Sequence, residues 1–192
     1  MYIKVKEGEY DMEEEIIGSD YTKEDAYKTL EIINSWISNI DTKVSFSLAL
    51  IGVLSTLIFN SELPSAFKRI SEVSKLGELN GGDVIGAILV AILYILSFIS
   101  IISFMLSITA RVKSENNNPS IFFFGSISSM SLSQYKQKIN EMSVNNIVED
   151  LQEQIYTNSK ICIKKVKFYN IGSKFLLLTI LLWFICMSFR LL

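Results

Sequence analysis

Residues 84–110, VIGAILVAILYILSFISIISFMLSITA, run for 27 positions without a formal charge. As an α-helix this stretch is about 40 Å long, enough to cross the ~30 Å hydrocarbon core of a bilayer with length left for tilt. Two shorter apolar blocks lie on either side of it, 44–59 and 175–189. The first reaches spanning length if 40–43 and Asn60 are included and Lys43 snorkels to the head groups. The second, bracketed by Lys174 and Arg190, does so with Ile171 in front and Leu191 and Leu192 behind. The hydrophobic content of 49% and mean hydropathy of +0.35, high for an ordinary soluble domain, are not spread evenly: the excess sits in these three blocks. The expected fold is therefore all-α: an integral membrane protein with three transmembrane helices and long cytoplasmic amphipathic helices.

Outward from the central span, Asn60, Ser61, Glu62 and Pro64 end the first span, and residues 61–83 form an external loop in which 66–76 reads as a short surface helix. Residues 22–43 read as a juxtamembrane helix leading into the first span, 44–60. Thr22 has the position of its N-cap, with Glu24 and Asp25 in the first turn. Ala26, Leu30, Ile33, Ile37, Ile40 and Val44 recur every three or four residues, one apolar seam that serves either a contact between subunits or packing on the chain's own later helix. Residues 1–21, with the run Glu13 to Glu15, read as an acidic N-terminal arm without the order of a cleaved signal peptide.

Beyond the central span, 84–110, lies a helical region at 111–174, and then the third span, 175–192. At its start stands NNNPSIFFFG, residues 116–125. Pro119 removes a donor and restricts the residue before it, so the asparagines and proline are expected to close the second span. Phe122, Phe123 and Phe124 are expected at the head-group boundary or under the cytoplasmic helices, and Gly125 to let the chain turn. Ser131 and Gln134 have capping-box spacing before Tyr135. Val144, Val148, Leu151, Ile155, Cys162, Val166 and Tyr169 form one stripe, with Asn158 filling the missing position and Gly172 interrupting the helix near the membrane. In the central span, Ser97, Ser100, Ser103 and Ser107 are small polar residues suited to close helix packing.

Basic residues set the orientation. Arg111, Lys113, Lys136, Lys138, Lys160, Lys164, Lys165, Lys167 and Lys174 lie between the second and third blocks, against Lys68, Arg69 and Lys75 in the first loop. The positive-inside bias then places the N-terminus and 111–174 in the cytoplasm.

The chain has no histidine and a net charge of −2. With no Walker loop, no GxGxxG cradle and no nucleophile beside a base, no catalytic residue and no metal site are expected, so the chain does not read as an enzyme. Nor is there a basic footprint for duplex nucleic acid. Cys162 and Cys186 have no metal-binding spacing and read as packing residues.

The order of features resembles the transmembrane effector family of bacterial Pycsar antiphage systems. The resemblance is carried by Asp41-Thr42-Lys43 opening the first span, Asn118-Pro119 followed by Phe123-Phe124-Gly125, Tyr135 ten residues on, the segment 151–156 with Ser159 and Lys165, and the closing apolar block. It implies a multi-pass protein of the bacterial inner membrane. In such systems a partner cyclase makes a cyclic pyrimidine mononucleotide on infection, and the effector impairs membrane integrity so that the cell dies before phage spread. A homo-oligomer in the lipid bilayer is expected, with no cofactor beyond that ligand. One phosphate and one flat base call for a cation or two and an aromatic slot, which Lys43, Arg111, Lys113 and Lys165 with the nearby aromatics could supply. The alternative is a structural or assembly membrane protein that docks a partner through its cytoplasmic helices without a nucleotide. A channel is disfavoured because the central span holds no charged residue.

Overall fold

The computed structural model describes residues 21–59, 63–72, 80–110 and 119–192. The acidic arm up to residue 20, and Arg111, Lys113 and Asn118, lie outside the described residues. Among the described residues there are six helices, in order α1 (Lys23–Ile58), α2 (Ser65–Ser71), α3 (Gly81–Thr109), α4 (Phe124–Ser129), α5 (Leu132–Glu141) and α6 (Val144–Ser188), and no strand. Three of them, α1, α3 and α6, are long and apolar enough to cross a membrane.

The Thr22 hydroxyl accepts the Asp25 amide at 3.2 Å, and the Asp25 carboxylate accepts the Thr22 amide at 3.0 Å, a reciprocal cap that starts α1. A further bond from the Thr22 hydroxyl to that carboxylate helps hold Asp25 below its ordinary pKa. The cap's contribution is therefore present above the usual carboxylate value and fades as pH falls through the lowered one. From there α1 continues for 36 residues, about 54 Å, and α6 for 45 residues, about 67 Å. Both are far longer than a bilayer core, so each carries a spanning half and a half that projects beyond it.

Contacts between helices fix their directions. From Asn34 to Asp41 is seven residues along α1, and their partners on α6, Asn158 and Lys165, are also seven apart, so the two helices run parallel. As α3 steps back from Ser107 to Ser100, its partners on α6 advance from Lys165 to Gly172, so α3 is antiparallel to both. In this three-helix bundle, the end where α1 begins is called the upper end below. The seam of α1 packs within the chain: Ala26, Ile33, Ile40 and Val44 are buried, and α1 lies against α6. Farther down, Ile51, Leu54 and Ile58 join Val90, Leu93, Phe104, Leu176 and Cys186 in one core.

At the lower end α6 stops with Arg190 in the left-handed region (φ 52°), the Leu191 amide bonded to the Cys186 carbonyl at 2.9 Å and the Arg190 amide to Met187 at 3.1 Å. The helix α2 meets this end. Ser65 Oγ donates to the Arg190 carbonyl at 2.6 Å, the Ala66 amide to the Leu191 carbonyl at 3.1 Å, and Ala66 is buried rather than on the surface. The C-terminal end of α6 thus lies beside the connection between α1 and α3, across the bundle from its own start.

Two expectations about α6 are corrected. The helix is not interrupted at Gly172 but runs through it, because a residue without Cβ is what lets α3 approach: a Cβ there would lie 2.8 Å from the Phe104 ring. The stripe is also shifted, since Val144 and Val166 are exposed, while Lys165, Gly172, Leu176 and Thr179 are buried. The serines of α3 belong to this contact, Ser100 and Ser107 each donating at 2.9 Å to a carbonyl of α6.

Gly172→Val is expected to overpack this contact and to cost about 1–3 kcal/mol, read as a lowered unfolding midpoint in detergent, with Phe104→Leu recovering part of it. Ser100→Ala should cost only about 0.6 kcal/mol.

Candidate functional site

The last carbonyls of an α-helix lack the amides of a following turn, and the last turn of α3 carries no basic residue. A cation reaches that negative end from another helix. Lys165 of α6 places its Nζ 3.1 Å from the Ile108 carbonyl oxygen and 2.6 Å from Oδ1 of Asp41 on α1. Ser107 donates in turn to the Lys165 carbonyl. One side chain therefore joins all three long helices, and Lys165 is only 5% exposed. An ammonium so deeply buried is tolerable only with an opposite charge and hydrogen-bond acceptors around it, which is what the three helices supply. The pair is lopsided: the Lys165 side chain is 7% exposed and that of Asp41 42%. Lys43, two residues along α1, is exposed.

The second part of the site lies higher. The Ile121 amide donates to Asp150 Oδ2 at 2.9 Å, Phe122 meets Tyr27 edge to face at 5.5 Å, and Lys138 donates to the Pro119 carbonyl. Ser120 is buried and accepts the Phe122 amide at 3.0 Å. Residues 119–122 are thus held between the beginning of α1 and α6. Asp150 precedes Lys165 by fifteen residues, so this docking point stands about 22 Å above the ion pair.

That height corrects the reading of the junction. Pro119 does not close the second span: α3 ends at Thr109, where Ala110 is the cap. Phe122 lies against the projecting half of α1, the second of the two places expected for it, while Phe123 and Phe124 are exposed with their rings 4.9 Å apart. Gly125 is in the first turn of α4, not in a turn of the chain, and a Cβ there would lie 2.5 Å from the Phe123 ring. Tyr135 is half-buried in α5, whose start is capped by Ser131 and Gln134 as their spacing indicated.

Of the residues singled out in the sequence, Asp41, Lys43 and Lys165 come to one level of the bundle, and Pro119, Phe123, Phe124, Gly125 and Tyr135 belong to the upper end. Beside the upper group is a polar cleft of 340 Å³ that includes Ser120, Lys138 and Asn146. Its four carboxylates, Glu141, Glu149, Asp150 and Glu153, disfavour a phosphate there. An apolar groove of 320 Å³ lies between α1 and α6, lined by Ile33, Trp36, Cys162, Ile163 and Val166. Among the described residues no group of carboxylates and cysteines could hold a metal ion. Sequence reasoning did not single out Asp150, because its partner is a backbone amide, which leaves no mark in a side-chain pattern.

Residues 25–192 match the family model described as the Pycsar effector protein domain. The chain is also 33% identical over 186 residues to the Pycsar effector protein GmPycTM of Gulbenkiania mobilis, covering 90% of this chain and 95% of that protein. No solved structure matches it.

Asp150→Ala is expected to free the Ile121 amide. Hydrogen exchange there should quicken on the order of tenfold, as for the loss of about 1.4 kcal/mol, while amides in the middle of α3 keep their protection.

Proposed function

This chain belongs to the Pycsar effector family of antiphage defence, and we propose that it answers infection by impairing the membrane in which it sits. In this reading a partner cyclase makes a cyclic pyrimidine mononucleotide. The effector, oligomeric in the inner membrane with its N-terminus in the cytoplasm, responds by disturbing the bilayer, without acting as an enzyme. The observation that carries the reading is the match over most of the chain, residues 25–192. The positive-inside bias supports the orientation, since it puts the upper end, with its docked segment 119–122, on the side where a cyclase product appears. Lys43, Arg111 and Lys113 are the cations we propose for the phosphate; Lys165, enclosed and paired with Asp41, reaches it only when that pair opens.

A second reading, a membrane protein that docks a partner without a nucleotide, is favoured by Trp36 and Ile163, which line the apolar groove while 57% and 72% exposed.

Membrane potential, followed by a dye during infection of cells that hold the effector and its cognate cyclase, separates the two. Collapse of the potential is expected; a retained potential with intact effector in the membrane would overturn the proposal, and a stable co-purifying partner without toxicity would establish the second reading. Phe122→Ala, which removes the contact with Tyr27, is expected to lower protection several-fold, whereas Phe124→Ala, at a residue 77% exposed, should leave it nearly unchanged.

A further inference from the structure

We propose that the Asp41–Lys165 ion pair is a latch that keeps the effector quiet, and that its opening, with α1 moving against α3 and α6, is the step that disturbs the membrane. The inference rests on the effector reading and deepens it by naming the regulated contact.

Three observations converge on it. The first is that the apolar stretches of α1 and α6 are held less firmly by burial than that of α3, 17% and 22% against 33%. A polar tie therefore matters most to these two helices, which are the ones the ion pair joins. The second is that the tie lies at the upper margin of the apolar stretch of α1, which starts after Lys43, so movement there is passed straight to the spanning half. The third is the unequal exposure of the pair. Asp41, at 42%, is open to ions and ligands near the membrane surface, while Lys165, at 7%, is enclosed and bound also to the Ile108 carbonyl. Loss of the Asp41 carboxylate leaves a buried ammonium with its charge uncompensated, which makes the joined and separated arrangements distinct states rather than a continuum.

Asp41→Asn is expected to shift the balance toward the open arrangement by on the order of 100-fold, and Lys165→Met, which leaves a half-exposed carboxylate rather than a buried ammonium, by on the order of tenfold. Cells carrying either variant should then lose membrane potential without cyclase or phage. The opposite test closes the latch. In a Cys162→Ser background, Asn34→Cys with Asn158→Cys, at positions whose side chains are 2.8 Å apart, permits a short bis-maleimide to tie α1 to α6 one heptad above the pair. The tied protein should hold its potential during infection, and the same protein left untied should not. Single variants that reach the membrane yet stay quiet, or tied protein that depolarises on infection as the untied does, would overturn the latch. Should the single variants fail to insert, the tied protein decides alone. Wild type that keeps its potential during infection would instead count against the effector reading, and the variants without phage would still judge the latch.

Discussion

The demand of one buried ammonium shapes the middle of this molecule. A lysine on the face of α6 that meets two apolar helices needs both a countercharge and acceptors, and it finds them on different helices: the Asp41 carboxylate on α1 and the Ile108 carbonyl at the end of α3. Both partners must therefore stand at the height of Lys165. Apolar side chains slide past one another at little cost in a uniform interface, but an ion pair at 2.6 Å does not, so it sets the register of three helices that hydrophobic burial alone would leave loosely defined.

Below that level the packing is governed by size. Gly172 admits the Phe104 ring and Ser100 bonds to the Gly172 carbonyl, so the backbone of α6 serves both as a recess and as an acceptor for α3. Gly86 does the same at the lower end, where Leu191 fits against it and Ala66 closes the corner. Above the ion pair the principle changes. There α1 and α6 continue side by side without α3, joined by Asn34 and Asn158, and the segment 119–122 is carried by the Asp150 carboxylate, the Lys138 ammonium and an aromatic edge. A firm lower bundle, a charged collar and a lightly held upper part are what a protein needs if a signal at one end is to alter the spans at the other.

Much of the fold was legible because its causes are local or periodic. The 27 uncharged residues of the central block, the cap at Thr22, the capping box at Ser131 and the seam from Ala26 to Val44 each follow from side chains close together in the chain. The errors share a cause too. Gly172 looked like a break because glycine is a poor helix former in isolation, whereas its neighbour Phe104, 68 positions earlier, is what makes it necessary. Val166 seemed to lie on the buried stripe and Lys165 did not, because hydrophobicity was used to choose the face; Leu151 of that stripe is buried as expected, but at this height the position facing the bundle is the lysine that pairs with Asp41.

The sequence by itself determined that this is a helical membrane protein with three apolar helices, and the order of its motifs pointed to its family, because length, charge and order along the chain are properties of the chain alone. Only the tertiary structure decided that Asp41 and Lys165, 124 residues apart, are partners, that the serines of α3 serve α6, and that the phenylalanine segment docks about 22 Å above the ion pair rather than beside it. Partnership across helices depends on the register and rotation of each against the others, which the collective packing of the bundle sets and no local pattern records.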